Sequence, residues 1–313
     1  MQKTILAFGE VLWDLLPTGA VLGGAPCNFA YRISTLGDRA AMVSRVGRDD
    51  LGRQAAQQLA ALGLDLSFLQ WDDHHPTGTV QVSLDAHGVP DFTILPHVAY
   101  DQIEPTDALF ALAAQADCVC FGTLIQRSWP ARESLHRLLR SASKAIKLLD
   151  LNLRKNCHSP ETISASLERA DILKLSEDEA RYLAEFCDVD AAPLPVFCAQ
   201  ILERCVLSHC VVTLGERGVF AASSKGERVY LPGLKVKVVD TVGSGDAFTA
   251  GFVHALLRGQ SLAECCGLGN ALGALVATQP GATQAIPPER LESFLRADHP
   301  RLCEAALAEF KAA

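Results

Sequence analysis

Asp246 directly follows Gly243-Ser244-Gly245, between an apolar run at 235–239 that reads as a strand and a small-residue helix carrying Ala247, Phe248, Gly251, Phe252, Ala255 and Leu256. Glycines at a strand-to-helix turn let consecutive backbone N–H groups converge on one point, and the helix dipole adds partial positive charge there. Such a turn is an anion nest of the kind that holds phosphate. A carboxylate is an odd neighbour for phosphate unless it takes a proton from a hydroxyl that attacks the held phosphoryl group. That is phosphoryl-transfer chemistry, where positioning and charge neutralisation supply most of the rate. The same residues would also make a plain glycine-rich turn with Asp246 as a helix cap.

A second glycine pair lies far upstream, in Gly23-Gly24-Ala25-Pro26-Cys27-Asn28. Pro26 is placed as a first-turn helix residue, Phe29, Ile33 and Leu36 follow at helical spacing, and Gly37 ends the helix. Asn28 then sits in the first turn, at the same end as the glycine loop. An amide beside paired glycines suits a polyol hydroxyl, although a turn and a cap would use the same residues.

These loops need a scaffold, and the chain offers one. Short apolar runs at 4–8, 40–43, 118–121, 146–149, 172–175 and 210–213 are separated by helix-length segments, among them 50–62 with Leu51, Ala55, Leu59 and Leu62 at helical spacing. This is the pattern of βα units: an α/β three-layer sandwich, with a mostly parallel central sheet covered by helices on both faces. Right-handed crossovers put the loops that bind ligands at the carboxyl ends of the strands. Residues 77–84 break the alternation with a period of two, and 91–95 follow after a turn at His87-Gly88, so this part reads as an exposed hairpin. With 11–22 it would make a small β-lid, formed by about 11–22 and 77–103, on a single domain spanning 1–313. An exposed lid edge invites pairing between subunits, so a homodimer through the lid is expected.

Composition narrows the partners. Among 313 residues, 49% are hydrophobic, and 28 basic against 36 acidic residues give a net charge of −8. An acidic chain without a Lys/Arg-rich run is a poor partner for nucleic acid or an anionic membrane. No apolar run approaches membrane-spanning length, and the amino terminus runs straight into a strand without a signal-peptide pattern. The eleven cysteines sit mostly in apolar segments without CxxC spacing, which reads as reduced thiols in a cytoplasmic protein. Cys187, Cys198, Cys205 and Cys210 form the nearest thing to a cluster, but no histidine pattern completes a zinc site.

Three motifs together carry a resemblance: Gly23-Gly24-Ala-Pro-x-Asn28, then Arg45-Val-Gly47-x-Asp49-x-x-Gly52, then Asp240-Thr-Val-Gly-Ser-Gly-Asp246. In this order the chain resembles the ribokinase-like (PfkB) carbohydrate kinases over essentially its whole length. The resemblance implies ATP-dependent phosphorylation of a sugar hydroxyl, with Mg²⁺ and in some members a stimulatory K⁺. It implies that Asp246 is the base and that Gly243, Ser244 and Gly245 form the anion hole. Asp14 matches an aspartate that accepts hydrogen bonds from the sugar, and Gly23, Gly24 and Asn28 fall on the sugar-binding and lid-hinge segment. Asp150-Leu-Asn152-Leu-Arg154 resembles a D-x-N-x-R motif whose arginine reaches the sugar and the transferred phosphate. Lys174-Leu-Ser176-Glu-Asp-Glu179 falls where the family has N-x-x-E, whose glutamate organises the Mg²⁺ waters. Serine replaces the asparagine here, which weakens a nucleotide contact at Ser176, and Ser176 with Glu179 also makes a capping box. Thr213, Gly215 and Gly218 match the turn bordering ATP, and Asn270 the helix lining the adenine pocket. The carbonyls of Asp240, Val242, Val276, Gln279 and Gly281 fall where some relatives hold K⁺.

The stretch from Pro76 to Ile94, the Tyr100-Asp101-x-Ile103 segment and the Arg154 motif look most like fructokinases. A sugar acid would want a cationic lid residue, yet the stretch around Phe92 has none, and Asp72, Asp73, Asp91 and Asp101 disfavour a sugar phosphate. A neutral hexose fits, with fructose phosphorylated at O6 as the expectation and ribose, a nucleoside or 2-keto-3-deoxygluconate as alternatives. A catalytically weak sugar sensor would share the binding residues. Dinucleotide and P-loop folds would need G-x-G-x-x-G after the first strand or G-x-x-x-x-G-K-[ST], and neither is present.

Overall fold

The computed structural model describes residues 1–16, 19–84 and 90–312, without the side chains of 82–84 and 90–92. The expected His87-Gly88 turn lies outside the described residues. Strands β1 (Thr4–Phe8), β2 (Leu12–Leu16) and β3 (Gly19–Gly23) lead into helix α1 (Ala25–Thr35). Next come β4 (Arg39–Gly47), α2 (Asp50–Ala61), β5 (Leu69–Asp72), β6 (Gly78–Leu84) and β7 (Pro90–Ile94). Alternation resumes with α3 (Asp107–Ala113), β8 (Cys118–Phe121), α4 (Trp129–Ser141), β9 (Ile146–Asp150), α5 (Pro160–Leu167) and β10 (Ile172–Ser176). The remainder comprises α6 (Glu177–Cys187), α7 (Leu194–Arg204), β11 (His209–Thr213), β12 (Val219–Ser223), β13 (Arg228–Leu231), α8 (Ser244–Leu256), α9 (Leu262–Ala277) and α10 (Pro288–Arg296).

Nine strands form the central sheet in the order β13-β12-β11-β10-β9-β8-β1-β4-β5, with β12 alone running antiparallel to the rest. Strand β1 shows why both faces are covered. Ile5 and Ala7 pack with residues of α1, α2, α8 and α9, while Leu6 and Phe8 pack with residues of α3 to α7. All four are fully buried, so alternation along the strand feeds two cores rather than a core and water. Phe8→Ala would cost ~3–5 kcal/mol by leaving a cavity in one of them.

The order also locates a crevice. From β1 the chain builds outward through β4 and β5, then returns to the other side of β1 with β8, β9 and β10. Loops leaving β1 and β8 therefore diverge, which opens a crevice at the carboxyl ends of these strands.

A second, four-stranded sheet runs β3-β2-β6-β7, with β2 and β6 parallel and the outer pairs antiparallel. Residues 95–103 add no strand to it. Its root is bolted to the central sheet by the Arg45–Gly52 motif. Asp49 caps α2 through the Gly52 amide and accepts from the Thr77 amide and hydroxyl at 2.8 and 2.7 Å. Arg45 Nε meets Asp72 at 2.7 Å. At the far end, Arg127 grips both Asp101 oxygens at 2.9 Å and the Leu95 carbonyl just past β7 at 2.7 Å.

One expected strand is absent. Residues 235–239 are extended without a strand partner, and Val238 and Val239 are 55% and 57% exposed. The Lys-Val alternation satisfies the period of a half-buried strand, but the outer edge of β13 is already met by Lys311 beside Tyr230. The segment instead crosses the surface, held where the Val239 amide donates to the Ala277 carbonyl at 2.8 Å.

Candidate active site

The two glycine motifs, more than 200 residues apart in sequence, meet. Asn28 Nδ2 donates to Asp246 Oδ2 at 2.8 Å, joining the first turns of α1 and α8. Each turn depends on a glycine in a conformation that other residues avoid. Gly24 has φ 115°, and a Cβ there would lie 2.4 Å from the Glu10 carbonyl oxygen. Gly243 caps α8 with φ 76° and presses on Ala282, whose Cβ would be 2.3 Å from one built on Gly243. Among the described residues the Gly245 and Asp246 amides have no acceptor, as expected for an open helix N-terminus. The anion nest is built.

Beneath it lies a charge cluster that the motifs only half disclosed. Lys174, on β10, is buried and donates from Nζ to both Asp150 oxygens at 3.1 and 3.0 Å. The same Asp150 accepts from Thr249 Oγ1 at 3.1 Å, one turn past Gly245 on α8. A Cβ on Gly245 would lie 3.3 Å from Lys174 Nζ, so the ammonium sits directly under the nest. Burial alone would strip its proton, but the Asp150, Glu179 and Asp246 carboxylates outweigh that and raise its pKa. A positive charge is thus fixed beneath the amides at the start of α8.

Asp246 is held at the opposite setting. Burial and the Asp150 charge push its pKa up from 3.8 to about 6, against the pull of the Asn28 hydrogen bond, Lys174 and Arg154. That places the carboxylate near the working range of a general base. Sequence reasoning missed its neighbour Glu10. This side chain follows β1, is 5% exposed, accepts from the Ala25 amide at 3.3 Å, and is driven by burial to a pKa of about 7. The available signal was a glutamate between a buried strand and Val11-Leu12-Trp13, where an apolar residue or glycine is the norm. Glu10, Thr123, Asp150, Asn152 and Asp246 line a recess of about 20 Å³, room for one water and not for a sugar.

Asp14, on β2, reaches back toward the same opening: its Oδ2 lies 2.8 Å from where a Gly23 Cβ would stand. Burial raises its pKa, partly offset by Arg154. Arg154 is exposed, and its charge acts on Glu10, Asp14 and Asp246 together. Phe92 falls on β7 with its side chain outside the described residues.

Of the candidate nucleotide residues, Lys174 belongs to the charge cluster through Asp150, and the others lie along the carboxyl ends of β10 and β11 and on α9. Ser176 is the N-cap of α6 and accepts from the Glu179 amide at 3.3 Å. In return, Glu179 Oε2 accepts from the Ser176 amide at 2.7 Å and Oε1 accepts from the Leu153 amide at 2.6 Å. It therefore fixes the 151–154 loop that carries Arg154. Thr213 ends β11, Gly215 and Gly218 shape the turn after it, and the Asn270 amide reaches the Leu231 and Pro232 carbonyls at 3.4 and 3.5 Å. At the candidate K⁺ segments, Asp240 accepts from the Val242 and Gly281 amides at 3.0 and 2.9 Å. Val276 is buried in α9, and the buried Gln279 has a side-chain nitrogen without a partner among the described residues. Among the described residues no three His, Cys, Asp or Glu side chains are grouped to hold a metal, and no helix is long and apolar enough to cross a membrane.

The chain is similar to known sugar kinases over most of its length. A fructokinase from Klebsiella pneumoniae is 31% identical, over 92% of this chain and 97% of its own. An aminoimidazole riboside kinase from Salmonella typhimurium is also 31% identical, over 94% and 95%. The crystal structure of a fructokinase from Vibrio cholerae O395, with fructose, ADP and calcium ion bound, superposes with a TM-score of 0.79 at 27% identity over 94% of this chain and 99% of that one. A double mutant of that enzyme was solved with fructose, ADP and potassium ion. The model of the pfkB family of carbohydrate kinases matches residues 18–289, and with the anion nest, its buried lysine and the paired Asn28 and Asp246 already in place, the chain belongs to that family.

Proposed function

We propose that this chain transfers the γ-phosphoryl group of ATP to O6 of D-fructose, with Asp246 as general base. The 2.8 Å contact between Asn28 and Asp246 carries the reading, because it sets a hydroxyl-binding loop against a phosphate-binding turn. Fructose lies above the recess, between Asp14, Gly23, Gly24, Asn28 and Arg154. Asp246 removes the O6 proton, and the oxygen attacks the γ-phosphorus seated on the Gly243-Ser244-Gly245 turn over Lys174. Holding the base within reach of that proton is worth ~10²–10⁴-fold.

A neutral sugar is favoured by charge. Glu10, Asp14, Asp150 and Asp246 face Lys174, committed to Asp150, and Arg154, whose field three carboxylates share. Little cationic charge is left to bind a sugar phosphate or acid. The small sheet acts as the lid that excludes water from the phosphoryl group. ATP lies along Ser176, Thr213, Gly215, Gly218 and Asn270, and the exposed valines 238, 239 and 242 offer apolar surface beside the nest. Magnesium, when bound, neutralises charge on the phosphate oxygens. Glu179 fits the task of holding its waters, since each oxygen keeps a lone pair beyond the amide it accepts.

The second reading is a riboside kinase, favoured by the Salmonella relative at equal identity. ADP release measured over fructose, glucose, ribose, adenosine, aminoimidazole riboside and 2-keto-3-deoxygluconate separates the two. Fructose should give the highest kcat/KM; a riboside ahead of fructose overturns the proposal. A sugar sensor would show sugar-dependent melting shifts without ADP release.

A further inference from the structure

A monovalent cation among the 240–242 and 276–281 carbonyls would need a region free of fixed positive charge. This chain places one beside them. Arg32, one helical turn beyond Asn28 on α1, is 1% exposed and donates from Nη2 to the carbonyl of Ala282. Its Nε and Nη1 are buried without a partner, and no carboxylate pairs with it among the described residues. The adjoining Gly281 amide is tied to Asp240 at 2.9 Å. On its other side Ala282 abuts Gly243, and a Cβ on Gly243 would lie 3.7 Å from Asn28 Nδ2. The guanidinium therefore lies one residue behind the anion nest, pinned to the loop that backs it.

With only the Ala282 carbonyl and the Tyr31 ring, 5.0 Å from its central carbon, against it among the described residues, a buried guanidinium without a carboxylate is unfavourable, and it stays charged because arginine does not lose its proton in proteins. The nearby carboxylates are committed elsewhere, Asp240 to the Gly281 amide and Asp246 to Asn28, and neither pairs with the guanidinium. A second cation among the neighbouring carbonyls would meet repulsion from the first, so K⁺ does not fit here.

We infer that Arg32 is a tethered replacement for the monovalent ion: it holds the 281–282 loop against Gly243 and supplies the positive charge behind the nest. It acts as a positioning residue, through Ala282 and Gly243. The kinase then needs no K⁺.

The test compares potassium chloride with tetramethylammonium chloride at equal ionic strength. The wild-type melting temperature should be the same in both salts, whereas a cation that binds the folded chain would raise it in potassium. Wild-type ADP release with fructose and MgATP should agree within about twofold, and Arg32→Ala should lose about tenfold or more in tetramethylammonium and regain most of it with K⁺ or guanidinium. A potassium-dependent rise in wild-type melting temperature, a severalfold activation of the wild type by K⁺, or an Arg32→Ala variant as active as wild type in tetramethylammonium would overturn the inference. So would a defective Arg32→Ala that neither cation rescues, since that marks a purely structural residue. If Arg32→Ala does not fold, the wild-type comparisons decide. The turnover arm rests on the fructose reading; if fructose is not phosphorylated, that reading fails alone and the melting comparison still decides the role of Arg32.

Discussion

Glu10→Gln should make the protein more stable, and increasingly so as pH rises. Burial lifts the Glu10 pKa from 4.5 to about 7. Between those values the folded chain keeps a proton that the unfolded chain releases, so stability falls as pH rises through the window. For a single site the loss is about 1 kcal/mol at about pH 5.5 and about 3 kcal/mol at about pH 8. Glutamine preserves the acceptor for the Ala25 amide and cannot ionise, so the variant escapes that loss. The stability gap between the two proteins should widen by ~2 kcal/mol over this range, or roughly 3 °C in melting temperature. Other titrating groups, such as His136 with its pKa lowered by burial to about 4, are common to both proteins and cancel. Thermal melts of both proteins at matched pH values read the gap directly. A gap that is constant or narrows with pH refutes the argument that a buried carboxylate beside Asp246 is strained into its neutral form.

Three further outcomes follow from the same geometry. With the Asp246 pKa at about 6, kcat/KM should be flat above about pH 7 and fall about tenfold per unit below about pH 6, as measured by initial ADP-release rates. Arg127→Ala strips the partner from Asp101, which is 2% exposed, and should destabilise the fold by ~3–5 kcal/mol in denaturant melts. Ser176→Ala removes the side-chain cap of α6 and should cost ~1 kcal/mol in the same melts.

How far the sequence discloses this molecule depends on which residue is asked. The runs at 4–8 and 118–121 match β1 and β8 residue for residue, because strands buried on both faces read as unbroken apolar runs. Their neighbours in the sheet are invisible to such a pattern; that β1 lies between β8 and β4 emerges only from the crossovers. Periodicity misleads at 235–239, where a strand pattern has no strand to pair with. At the site, Asp246 and Asn28 stood in motifs whose glycines advertise a turn, and Lys174 stood within the apolar run at 172–175, ahead of the Ser176–Glu179 capping box. Asp150 stood in the motif read for Arg154, yet its bonds to Lys174 and Thr249 join three elements distant in sequence. Glu10 and Arg32 escaped because each sits alone in an apolar segment, and only packing shows that they face the two sides of the anion nest.

The account stands on one carboxylate taking one proton, so Asp246→Asn is its most direct test, read by sugar-dependent melting shifts and by ADP release with fructose. The amide can still partner Asn28 and leave the pocket intact, but it cannot accept the proton of O6. Fructose should still shift the melting temperature of the variant while turnover falls by ~10²–10⁴-fold. Turnover within a few-fold of wild type would contradict the assignment of the base.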